Sequence, residues 1–142
     1  MDYEMTIEQF EIWLQQHPQS WSNKSSPVSE EDCGVWPLKS VPAGYKDFLK
    51  RIGPICVFDY CLLSPAEMRE RTTFVHSLSY PQEGINFSHL VAFCSQGYDN
   101  CYFCFDGERV VDFDPLEPGS VETAAANSFS HFLARLVNLT GL

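Results

Sequence analysis

A chain of 142 residues that is 44% apolar and 14% aromatic can bury roughly two thirds of its unfolded surface in one core, so a single domain over 1–142 is expected. With 19 acidic against 9 basic side chains and a formal charge of −10, the chain lacks the clustered Lys and Arg that displace counterions from phosphate, which argues against nucleic acid as a partner and against an anionic membrane surface. The same field attracts a basic protein and speeds the encounter, although acidity also serves solubility alone.

The opening "MDYEMTIEQF" has no basic region followed by an apolar run, so no export signal is read there and a cytoplasmic location is expected. Thr6 with Gln9 forms a capping box, and Phe10, Trp13 and Leu14 follow at helical spacing; this predicts a helix over 6–16 that stops near Pro18. Residues 17–40 are rich in Ser, Pro and acidic side chains. They read as an irregular connection with one short helical turn, pinned to the body by Trp21 and Trp36. A core over 41–138 follows. Pro42 suits a first helical turn, and Tyr45, Phe48, Leu49 and Ile52 keep a helical stripe until "GP" ends it. "ICVFDYCLL" reads as one strand, well short of the roughly 18 apolar residues of a membrane span and interrupted by Asp59. Ser64, Pro65 and Glu67 open another helix that ends near "TTFVHS", and "LSYPQEGINFS" is a loop.

From His89 the period becomes two. "LVAFC" and "CYFCF" are apolar on both faces, the mark of interior strands. "VVDFD" alternates, which predicts Val111 and Phe113 inward, Asp112 and Asp114 outward, and one wet face on an edge or near-edge strand. "DGER" is a hairpin turn with Gly107 at positive φ. Phe129, Phe132, Leu133, Leu136 and Val137 trace a last helix that starts near 121 or 127 and ends at 138.

The six cysteines are expected to be reduced thiols that behave as small buried hydrophobes. Cys101 and Cys104 have zinc-ligand spacing, but on a strand their side chains leave opposite faces, and neither Cys94 nor a His pair completes a set. Asp112 and Asp114 share a strand face and have a spacing suited to a divalent cation; solvated surface charge is the plainer reading, and the chain has no phosphate-cradling glycine loop. His17, His76, His89 and His131 stand in no signature with a nucleophile, and Ser128 and Ser130 read as helix-start residues. No catalytic residue, metal or cofactor is therefore assigned. The loop "SQGYDN" combines Tyr98 with Asp99, a rigid aromatic contact beside steering charge.

The order of these motifs resembles the SUKH superfamily over about residues 41–138. "VPAGYKDFLKRIG" is similar to the helix that opens its core, with Pro42, Tyr45, Phe48 and Leu49 at the matching positions and Val41 where the family has Leu. "LVAFCSQGYDNCYFCFD" is similar to its strand, polar loop and aromatic strand, through Gly97, Asp99, Tyr102, Phe105 and Asp106. "VVDFDP" and "NSFSHFLARL" are similar to its last strand and closing helix, through Phe129, Phe132 and Leu133. The resemblance implies an α+β domain, a twisted and mostly antiparallel sheet packed with about four helices. It also implies a non-catalytic immunity protein that binds and neutralises a cognate toxin, a basic nuclease for instance; the family's alternative is a regulatory or scaffold protein bound to a cellular partner. Tyr98, Asp99, Asp106, Glu108, Asp112 and Asp114 are the candidate partner-binding residues, on a monomer or homodimer. An enzyme that uses Asp112 and Asp114 with a metal is the reading from a different class.

Overall fold

The computed structural model describes residues 3–97 and 100–139. Helix α1 spans Ile7–Gln16. The Thr6 hydroxyl accepts from the Gln9 amide at 3.1 Å while the Gln9 side chain accepts from the Thr6 amide at 2.9 Å, so both free donors are satisfied and Phe10, Trp13 and Leu14 turn inward.

The connection over 17–40 is more ordered than its composition predicts. Strand β1 (Trp21–Ser22) pairs with Val57 and Cys56, α2 (Glu30–Cys33) is capped by Ser29, and a 3-10 turn covers Leu38–Ser40. Trp21 does anchor it, donating Nε1–H to the Leu14 carbonyl at 2.8 Å. Trp36 is more exposed, with its ring edge toward His76. The segment before α2 lies on the end of α3 (Ala43–Arg51), where the Val28 amide donates to the Leu49 carbonyl. Gly53, at φ +93°, is required there: a Cβ would sit 2.7 Å from the Ser26 carbonyl oxygen.

"ICVFDYCLL" folds as two strands where one is expected. β2 (Ile55–Val57) and β3 (Tyr60–Leu62) pair across a turn at Phe58 and Asp59. A continuous strand would carry Asp59 into the sheet interior, whereas the reversal leaves it exposed and keeps Ile55, Val57, Tyr60 and Leu62 on the core side. The turn also sets Cys56 opposite Cys61, and the two are joined in a disulfide. The expectation of six reduced thiols fails at this pair, because the hairpin brings them together.

Helix α4 (Pro65–Ser77) has the expected box, Ser64 with Glu67. β4 (Val91–Ser95), β5 (Tyr102–Asp106), β6 (Arg109–Phe113) and β7 (Ala124–Ala126) complete one antiparallel sheet in the order β1 to β7. β3 meets β4 only at Ser95 and Cys94. Beyond that point side chains replace a strand partner: the Ala92 amide donates to the Thr72 hydroxyl at 3.0 Å and His76 Nε2 lies 2.7 Å from the Leu90 carbonyl. Fully buried Thr72 thus satisfies a backbone donor that would otherwise be orphaned.

β7 and α5 (Phe129–Leu139) correct two further expectations. The last helix begins after Ser128, and residues 124–126, placed by sequence beside or within it, form a strand. That strand pairs with β6, so β6 lies between β5 and β7, one strand in from the edge, the near-edge position of the two expected. Neither of its faces is wet, however: Val110, on the same side as Asp112, is as fully buried as Val111. α1, α3 and α5 cover this side, where Tyr45 meets Phe93 and Phe129 at ring distances of 5.2 and 5.1 Å and Phe93 stacks on Phe105 at 4.0 Å. The Tyr45 hydroxyl donates to the Leu63 and Phe93 carbonyls. On the opposite side Ala92, Cys104, Val111 and Phe113 pack under Val75 and Phe87. The fold is α+β, with both sides of the central strands covered as "LVAFC" and "CYFCF" predict. No helix among the described residues is long and apolar enough to cross a membrane.

Candidate functional site

Antiparallel order gathers three connections at one end of the strands: the β2–β3 turn, the β4–β5 loop and the segment after β6. They touch one another. The Phe58 amide donates to the Ser20 carbonyl at 3.0 Å, and the Asp59 Cβ lies 2.9 Å from where a side chain on Gly97 (φ +81°) would begin. Gln96 Nε2 donates to Asp112 Oδ1 at 2.6 Å, and the Ser120 hydroxyl donates to the Asp112 carbonyl at 2.7 Å. Asp114 Oδ1 accepts from the Leu116 amide at 2.9 Å, which folds the segment into a side-chain-closed turn.

The candidate residues therefore separate. Asp112 and Asp114 belong to this end, while Tyr98 and Asp99 lie outside the described residues. Asp112 is half-buried and hydrogen-bonded where sequence alternation predicts a solvated carboxylate. Asp106 and Glu108 stand at the other end of the strands. Arg109 holds Asp106 Oδ2 through Nε at 3.0 Å and Nη2 at 2.8 Å, and also donates to the Val121 and Glu122 carbonyls. Asp106 thereby orients an arginine that ties the 118–122 segment to the sheet. Glu108 is exposed in the turn.

Two residues absent from the sequence reading stand out at the first end: Phe58 is 49% exposed and Leu116 is 88% exposed. Phe58 becomes legible once the run around Asp59 is read as a hairpin. Leu116 sits alone in "DPLEPG" and carries no periodic signal. Exposed Asp59 and Glu117 adjoin them in sequence. Exposed apolar side chains beside carboxylates combine area available for burial with charge available for steering.

The remaining reactive groups are engaged otherwise. Burial pushes the Cys94 and Cys104 thiols far up and lifts Cys33 as well, which makes them poor nucleophiles and metal ligands. The Ser128 hydroxyl lies 2.7 Å from His131 Nδ1, and Glu4 Oε1 lies 3.8 Å from that same nitrogen. A proton relay needs the hydroxyl and the carboxylate on different ring nitrogens. Ser128 also accepts from the His131 amide, so the cluster is a helix cap. Among the described residues no three His, Cys, Asp or Glu side chains gather where one ion could be held. Compared with protein-family models and with curated proteins, the chain matches none.

Proposed function

We propose that this protein is a non-catalytic immunity protein that binds a basic toxin, such as a nuclease, and covers its substrate groove or an adjacent surface. The observation that carries this reading is the end of the sheet whose connections hold exposed Phe58 and Leu116 next in sequence to exposed Asp59 and Glu117, with half-buried Asp114 close by in the chain. Exposed apolar side chains offer burial against a partner, and a net charge of −10 orients a basic one during approach. The resemblance of residues 41–138 to the SUKH superfamily supports the same reading. Asp106 and Glu108, at the opposite end, contribute to the long-range field.

The test is to translate the reading frames flanking this gene and to co-express the protein with the basic C-terminal module of an exported neighbour; the absence of any such neighbour counts against the immunity role. Wild type restores growth, and Asp59→Lys with Asp114→Lys lowers the association rate roughly tenfold at low salt. If wild type gives no protection, the immunity role is wrong. Protection with unchanged association kinetics instead moves the interface away from this end of the sheet.

A further inference from the structure

Strand register aligns one row of side chains on the side of the sheet away from α5. Ser22 faces Cys56, Cys56 faces Cys61, Cys61 faces Ser95, and Ser95 faces Tyr102. Four consecutive small residues leave this part of the sheet low. The first turns of α4 stand beside it, and between them opens a pocket of about 290 Å³ lined by Cys61, Glu67, Arg71, Ser95, Asn100 and Tyr102.

Its chemistry is specific. Cys56 and Cys61, both only half-buried, form the disulfide, whereas Cys33, Cys94 and Cys104 are buried free thiols. The Arg71 side chain is 41% exposed, with a surface contact to Glu70 at 3.3 Å. It also favours the ionised form of Tyr102, against the larger upward push of burial on that phenol. One Glu67 carboxylate oxygen accepts from the Ser64 amide at 3.1 Å. A cation and an anion thus flank a reachable sulfur.

We infer that this pocket is a thiol–disulfide exchange site for a small peptide thiol of the glutathione class, with Arg71 taking its carboxylate, Glu67 its ammonium and Cys61 its sulfur. In the exchange, the incoming thiol gives its proton to solvent and its thiolate attacks Cys61 Sγ. The new S–S bond forms to Cys61 as the Cys56–Cys61 bond breaks, and Cys56 leaves as a thiolate that takes a proton from water. A second thiol then displaces the adduct as the oxidised dimer and leaves Cys61 a free thiol; two thiols are oxidised and one disulfide is reduced. The hairpin that loses its staple has strands of three residues each, and its Asp59 rests on Gly97. Exchange therefore loosens the end of the sheet that carries Phe58.

The experiment treats the oxidised full-length protein with glutathione or with uncharged 2-mercaptoethanol at equal thiolate concentration, following intact mass, peptide mass and far-UV circular dichroism. The expected result is a glutathione adduct on Cys61 that forms while the dichroism is still that of a folded protein. It should form roughly tenfold faster than the uncharged adduct, and Arg71→Gln should remove that preference. A first adduct on Cys56 or Cys101, equal rates for the two thiols on wild type, or reaction only after the fold is lost overturns the inference. The wild-type comparison decides the matter even if the Arg71 variant does not fold. Since no toxin is involved, the outcome is independent of the immunity reading.

Discussion

The two sides of the sheet are built on different terms. The side under α1, α3 and α5 carries a continuous aromatic cluster from Phe10 through Tyr45, Phe93 and Phe105 to Phe132. The other side is apolar only over β4 to β6, where Val75 and Phe87 cover it, and over β1 to β3 it presents exposed Ser22 and the half-buried Cys56–Cys61 pair. Small residues occupy the part that α4 flanks without covering, so that part needs no large apolar side chain and is free to form a pocket.

Phe93→Ala is the strongest way to break this contrast. Its ring is fully buried, stacked on Phe105 and edge-on to Phe132 at 5.1 Å, so urea titration should show a loss of about 3–5 kcal/mol. A loss below about 1 kcal/mol would mean that the cluster repacks freely and that the two sides do not differ as described.

Alkaline titration tests the dryness of both sides at once, because fully buried Cys94 packs in the aromatic cluster and Cys104 in the opposite one. Burial raises both thiols above their ordinary value of 9.0. A raised folded pKa means that stability is whole below the unfolded value and lost as pH rises through it. Unfolding midpoints should therefore hold steady up to about pH 9 and then fall, at about 1.4 kcal/mol per pH unit for each thiol, about 3 kcal/mol for the two by pH 10. Fully buried Tyr45, also shifted upward by burial, adds to the loss at higher pH. Cys94→Ala should remove one thiol's share; an unchanged slope would show that this thiol is not protected.

The smallest effect belongs to the open row. Ser95→Ala should change stability by no more than about 0.5 kcal/mol in the same titration, which sharpens the contrast with Phe93 two residues earlier on the same strand. A loss above about 2 kcal/mol would show that Ser95 contributes to packing on the scale of the aromatic side.

Much of the architecture was legible in the residues. The Thr6 and Ser64 boxes appear where the spacing predicts them, Tyr45, Phe48 and Leu49 face the core, and Gly107 turns at φ +62°. Less of the candidate surface was legible. Asp112 was found, but as an acceptor for Gln96, and neither Phe58 nor Leu116 belongs to a periodic pattern.

Caps, helical stripes, the change to period two and the glycine turn follow from the sequence alone, because they depend on backbone groups and side chains within a few residues of one another. Long-range packing was needed to divide the run from Ile55 at Phe58, to make Trp21–Ser22 and Ala124–Ala126 the outer strands, and to bring Cys56 to Cys61. A two- or three-residue strand has too little local preference to declare itself. It exists because an open row of amides and carbonyls on the neighbouring strand must be paired, and that requirement is set by a partner distant in the sequence.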